Sequence, residues 1–176
     1  MLSTSFPMRC IIEPGFIETT QRSGMSENDE RKDGVSPELD MLSTELLGDA
    51  FDLLADGQSL NVLLVVEDAL GTVASYEFSD DGPEELLEGA HKRVLDLAKQ
   101  KGDKEAGLEE PVRYALAYEG AIQLLKEGGY EDAVLLEFGE KGYKSFSAYS
   151  LIHGKGQGDQ FVWSDPAPAG ELEPLL

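Results

Sequence analysis

The sequence predicts an α+β fold in which two helices pack on one face of an antiparallel sheet of five to six strands. The first supporting observation is a β-meander, since residues 130–165 contain three strand-like runs separated by glycine-rich turns. The second is a pair of amphipathic helical patterns, each opened by a proline. The order of the elements, α-β-β-α-β-(β)-β-β-β, lacks the regular alternation that is typical of a parallel α/β fold.

The first helix is predicted to begin at Ser36 and Pro37, because Ser is a good N-cap and Pro suits the first helical position. Apolar residues then recur every three or four positions until Gly57 ends the pattern. Residues 60–67 are apolar on both faces, as in a central strand, and residues 72–78 alternate after a turn. We therefore expect a helix followed by a β-hairpin.

The second helix is predicted after Gly82 and Pro83, since acidic residues lie near its start and basic residues near its end, which suits the helix dipole. Beyond a polar linker, residues 112–118 alternate as a strand that we expect to bend at Glu119-Gly120 and then to resume. The meander completes the sheet with strands at residues 133–138, 143–152 and 160–164.

Composition divides the chain into three parts. Residues 1–35 contain isolated apolar residues without a period, so we expect a disordered N-terminal tail, in which Met25 offers a second start besides Met1. Residues 36–165 are predicted to form a single α+β domain, because a chain of 176 residues with 41% apolar content can build one hydrophobic core. Residues 166–176 are expected to be an extended C-terminal tail.

The chain is strongly acidic, with 35 Asp and Glu against 14 Lys and Arg and a formal net charge of -21. This charge argues against nucleic acid and against a membrane surface as partners, because both contacts need clustered cations. Residues 36–88 contain 14 acidic residues and no Lys or Arg, so one hypothesis is a surface that docks a basic protein. The alternative is a solvated acidic surface, as in a salt-adapted organism. Self-association is a further hypothesis.

Several other function classes lack their sequence patterns here. Cys10 is the only cysteine, which excludes an intrachain disulfide and a multi-cysteine metal site. Residues 29–40 depart from a calcium loop at its ligand positions, and the glycine-rich residues 153–159 lack the Ser or Thr of a phosphate loop. We therefore expect no metal and no cofactor. Because neither a membrane-spanning run nor a signal-peptide pattern occurs, we expect a cytoplasmic location.

Four residues at or near the predicted strand ends are candidate catalytic groups: Glu119, Glu137, Glu140 and His153. Paired carboxylates with a histidine are groups that general acid–base catalysis uses. Because carboxylates are abundant in this chain, proximity by chance is the alternative explanation. His91, in the second helix, is predicted to be an ordinary surface histidine.

A second candidate site is an interaction face on the middle strand of the meander. Its side chains alternate toward one side of the sheet: Tyr143, Ser145, Ser147 and Tyr149. Tyr beside Ser is typical of adaptable contact surfaces, so a partner or a second subunit is expected to bind there. The alternative is a half-exposed sheet face without a partner, which has the same composition.

Two stretches carry a resemblance to a known group of proteins. The segments RYALAYEG at residues 113–120 and DAVLLEFGEKG at residues 132–142, with Ala148-Tyr149, resemble a group of uncharacterised bacterial α+β domains. The resemblance covers residues 58–165 and implies a pattern of strands and turns. It implies no activity, so it assigns no catalytic or binding residue.

The acidity and the missing catalytic motifs together favour an accessory or regulatory protein-interaction module. The alternative is a small hydrolase or ligand-binding protein that uses carboxylates near the sheet edge. A closed pocket that joins Glu119, Glu137 and Glu140 would favour this alternative, whereas an open surface would favour the interaction module.

Overall fold

The computed structural model describes residues 8–9, 30–78 and 82–176 of the chain. Its elements, in chain order, are β1 (Met8–Arg9), α1 (Pro37–Ala55), β2 (Val62–Asp68), β3 (Val73–Phe78), α2 (Pro83–Gln100), β4 (Pro111–Gln123), β5 (Tyr130–Glu140), β6 (Ser145–His153), β7 (Val162–Trp163) and β8 (Ala167–Leu172). Two helices and a largely antiparallel sheet confirm the predicted α+β class. None of the helices in the described ranges is both long enough and apolar enough to cross a membrane.

The strands form one sheet in the order β3-β2-β4-β5-β6-β7, with β8 beside β6 and β1 beside β4. The pairing of β1 with β4 is parallel, and the other pairs of named strands are antiparallel. β4 does not bend at Glu119-Gly120 as we expected but runs continuously to Gln123. It stays extended because Gly120 pairs with Ala133 of β5 on one side and with Met8 on the other.

The two helices pack on opposite faces of the sheet, and this differs from our expectation of one shared face. α1 contacts the face that presents Ala117 and Leu136, whereas α2 contacts the face that presents Leu64 and Leu116. The physical reason is that β2, β4 and β5 are apolar at both odd and even positions, so each face needs its own cover.

Both segments that we expected to be tails reach the sheet. The C-terminal residues form β8, whose Leu172 pairs with Ser145 of β6. At the other end of the chain, Lys32 donates its backbone N–H to Gly142 O at 3.0 Å and accepts from Lys144 N at 2.9 Å. Residues 1–7 and 10–29 of the predicted N-terminal tail, which include Cys10 and Met25, lie outside the described residues.

The glycine-rich turn after β6 closes on the C-terminal end of α1. Gly156 donates its N–H to Leu54 O at 2.9 Å, and a Cβ on Gly57 would lie 3.3 Å from Gly156 Cα. Both glycines have positive φ angles, 79° and 78°, which glycine adopts without steric cost. These residues therefore serve close packing between helix and turn.

Candidate interaction groove

α1 leaves part of its own sheet face uncovered. It packs mainly on β4 and β5, so among the described residues the same face of β2 and β3 remains open as a groove of about 550 Å³. We call this the acidic groove. Its floor is apolar at Leu63 and Val65 of β2, and Leu53 of α1 adds apolar surface at its side. Its rim carries four carboxylates: Asp49, Asp52, Asp56 and Glu77.

The local sequence explains why the floor and the rim have this composition. Asp49, Asp52 and Asp56 follow steps of three and four residues, which places them along one side of α1. On β2, Leu63 and Val65 alternate with residues that face α2, so they point into the groove and stay partly exposed. An apolar strip is thus bordered by a row of acids.

The negative charge of the groove is not neutralised by cations of the residues that the structure describes. Within residues 30–78 and 82–176, none of the four rim carboxylates forms an ion pair. Residues 36–88 also contain no Lys or Arg, so no basic side chain of α1, β2 or β3 lies at the rim. Carboxylates grouped in a concave site raise the local concentration of cationic partners.

The hairpin that forms the groove floor is held from its other face. Tyr76 of β3 donates its hydroxyl to Asp103 Oδ2 at 2.7 Å, and the Arg93 guanidinium lies 4.7 Å from the centre of its ring. Burial, together with the hydrogen bond to Asp103, raises the pKa of Tyr76 to about 12. The phenol therefore stays protonated and keeps donating at neutral pH.

The four candidate catalytic residues do not share a site. Glu119 lies on the α1 face, where it pairs with Lys155 Nζ at 2.8 Å. Glu140 lies on the same face, where it accepts a hydrogen bond from Arg113 of β4. Arg113 and Glu119 are six residues apart along β4, which is roughly 20 Å in an extended strand, so Glu140 lies far from Glu119. Glu137 points to the α2 face, and His153 is exposed at the end of β6.

His91 makes a contact that the sequence did not indicate. Its Nε2 lies 2.5 Å from Glu137 Oε2, and the Tyr118 hydroxyl donates to the other carboxylate oxygen at 3.4 Å. Because Glu137 is only 8% exposed, its charge needs such partners. The sequence signal for this contact was Glu137 itself. An acidic residue among the buried apolar residues of β5 needs a cation or a hydrogen-bond donor beside it.

The residues of the predicted interaction face have different environments. Ser145 is 1% exposed, and a hydrogen bond links it to the Tyr114 hydroxyl, whose pKa is raised by burial. Tyr143 lies in the turn before β6, with the Lys32 ammonium 5.6 Å from the centre of its ring. Tyr149 is partly buried against the core on the α2 side of the sheet, and Ser147 lies opposite Glu137 on β5. Only parts of this set are therefore accessible.

Comparisons with protein-family models, curated proteins and solved structures found no significant match to the chain. Among the residues that the structure describes, no three or more His, Cys, Asp or Glu side chains are grouped so that they could hold a metal ion. Functional inference therefore starts from the shape and charge of the acidic groove.

Proposed function

We propose that this protein is an accessory or regulatory module of the cytoplasm that binds a basic segment of a partner protein in the acidic groove. The observation that supports this proposal is the open groove itself, with an apolar floor and four rim carboxylates that lack ion pairs among the described residues. Apolar burial on the floor supplies affinity, and the rim supplies steering and selectivity for cations.

The alternative of a small hydrolase or ligand-binding protein has less support. It requires several of the carboxylates Glu119, Glu137 and Glu140 to converge, but they lie on two faces and at opposite ends of β4 and β5. Two of them are also engaged by cations, Lys155 at Glu119 and Arg113 at Glu140. These contacts favour a structural role for both carboxylates.

A matched pair of charge variants tests the proposal. D49K/D52K reverses two rim charges, and E105K/E109K makes the same change in net charge at two exposed residues of the loop before β4. Lys is a better helix former than Asp, so the rim variant should keep α1 intact. Both variants and the wild type are used for affinity capture from a lysate of the source organism at low and at high salt.

The proposal predicts that one defined protein is captured by the wild type and by E105K/E109K at low salt and is lost with D49K/D52K. After identification, the purified partner should bind the wild type about tenfold more tightly than D49K/D52K. Each charge reversal removes one attraction and adds one repulsion, so the variant alters four charge contacts of about 0.3–0.5 kcal/mol each. Equal binding to the rim variant and to the control variant would show that the groove is not the site.

A further inference from the structure

We infer that the occupant of the acidic groove is an amphipathic α-helix with a basic flank, which lies beside α1 and completes the helical layer on this face of the sheet. The inference rests on the proposed function, since it specifies the conformation and the charge pattern of the segment that binds. The observation that supports the inference is that α1 lies over β4 and β5 and leaves the groove over β2 and β3.

The spacing of the layers leaves room for one more helix. α1 lies over β4 and β5, and neighbouring strands in a sheet are about 4.8 Å apart. Helices that pack side by side are about 8–10 Å apart, which is two strand spacings. A helix beside α1 would therefore lie over β2 and β3, where the groove is. On the opposite face α2 already covers these strands.

The groove also matches the surface pattern of a helix. Asp49 and Asp56 are seven residues apart on α1, so this row extends about 10 Å at the rise of an α-helix. A neighbouring helix with Lys or Arg at steps of three and four residues would place its cations along that row. Its apolar stripe would cover Leu63 and Val65, and Glu77 of β3 would face its other flank.

An extended strand fits the groove less well. β3 is the first strand of the sheet order, so an added strand would pair with its outer edge and lie in the plane of the sheet. In that position it would leave Leu63 and Val65 of β2 uncovered, because their side chains point out of this plane toward the α1 side. The partly exposed floor therefore favours a helix above the sheet.

Two synthetic peptides of about 18 Leu and Lys residues provide the test, since this length suffices for a helix. They have identical composition, but one has the helical period and the other alternates as a strand. Fluorescence anisotropy measures their affinity for the full chain, and circular dichroism measures the helicity gained on binding. The variants D49K/D52K and S75W remove rim charge and fill the groove, respectively. E105K/E109K, in the loop before β4, and L95W, on the exposed side of α2, are controls outside the groove.

The helical-period peptide should bind about tenfold more tightly than the alternating peptide and should gain helicity on binding. D49K/D52K and S75W should each weaken its binding about tenfold, and the two control variants should change it less than about threefold. Amide chemical-shift changes should cluster in α1, β2 and β3. Thermal melts of all four variants verify that each is folded.

Preferential binding of the alternating peptide, still sensitive to D49K/D52K, would overturn the helix inference and leave the proposed function standing. If D49K/D52K and E105K/E109K weaken both peptides equally, binding follows net charge alone, and the proposed function fails as well. A dimer of the wild type in light scattering that S75W dissociates would identify a second copy as the occupant and would also overturn the inference.

Discussion

Replacing Asp68 by Asn should destabilise the protein by about 3 kcal/mol, because this buried carboxylate joins two loops. Asp68 ends β2 and is 0% exposed. Its Oδ1 accepts from the N–H groups of Leu70 at 2.9 Å and Thr72 at 3.0 Å, and its Oδ2 accepts from Glu109 N at 2.9 Å. It therefore fixes the β2–β3 turn to the segment that precedes β4.

The magnitude follows from the three hydrogen bonds. Asn keeps one oxygen for the turn but directs an NH₂ group at the Glu109 N–H, so one bond to a charged acceptor, worth about 2 kcal/mol, is replaced by two opposed donors. Loss of the charge weakens the other two bonds by about 0.5 kcal/mol each. The total of about 3 kcal/mol corresponds to a decrease in Tm of about 9 °C for a domain of this size.

The pH dependence gives a second, independent signature. Burial by itself raises the pKa of Asp68, but the hydrogen bonds from the backbone N–H groups of Glu109, Thr72 and Leu70 outweigh burial and hold it below 3.8. Because the pKa of Asp68 is lowered in the folded state, its ionised carboxylate contributes fully to stability above the unfolded-state pKa of about 3.9. This contribution is lost as pH falls through the folded-state pKa. The stability difference between wild type and D68N should therefore shrink below about pH 4.

Urea unfolding followed by circular dichroism, at neutral pH and in acid, measures both effects. E109Q is the control, because Glu109 contributes only its backbone N–H to Asp68 and should stay within about 0.5 kcal/mol of wild type. A D68N variant as stable as E109Q at neutral pH, or a difference that does not shrink in acid, would refute the role assigned to this carboxylate.

Two further substitutions test the packing of the sheet. G139A should lower stability by about 2 kcal/mol, because the new Cβ would lie 2.8 Å from Tyr114 Cε1. G170A is the control and should cost less, since the nearest atom to its new Cβ is 3.9 Å away. Equal melting temperatures of the two variants would contradict this prediction. W163A should cost about 1 kcal/mol in thermal denaturation, because Trp163 stacks on Phe51 with ring centroids 4.8 Å apart, and an unchanged Tm would show that this half-exposed contact contributes nothing.

Local chemistry was sufficient to locate most elements. Ser36 caps α1 by accepting from Leu39 N at 3.1 Å, and α2 begins at Pro83 as its proline and acidic first turn indicate. The strands β2, β3, β5 and β6 were visible for the same reason, since an apolar run or an alternation within a few residues indicates each of them. Such signals need no knowledge of distant contacts.

The placement of the helices required information that local patterns do not contain. β2 is apolar on both faces, with Leu64 and Val66 buried against α2 and Leu63 and Val65 partly exposed on the α1 side. The sequence showed the two-sided apolar pattern of β2, but the sheet order β3-β2-β4-β5 sets which strands each helix meets. This order comes from pairings between distant residues, such as Leu64 with Leu116.

The candidate site was predictable in charge but not in shape. The absence of Lys and Arg from residues 36–88 identified an acidic region, and the row Asp49, Asp52 and Asp56 lies within it. The groove depends in addition on α1 lying over β4 and β5, which leaves β2 and β3 open. The contact of His91 with Glu137 was missed for a similar reason, because it depends on the face that α2 covers.

The apolar floor of the acidic groove, more than its unpaired carboxylates, supports the docking proposal over general acidity. Arg113 pairs with the partly buried Glu67 and Glu140, whereas exposed acids outside the groove, such as Glu38 and Glu105, lack ion pairs among the described residues just as the rim acids do. A surface adapted only to salt or solubility would add exposed acids and would have no reason to retain apolar side chains partly exposed between them. The acidic groove retains Leu63 and Val65 between α1 and β3, both of which carry acids at its rim. Burial of that floor would be a free-energy gain for a segment that covers it, and the carboxylates beside it would attract the basic partner that we propose.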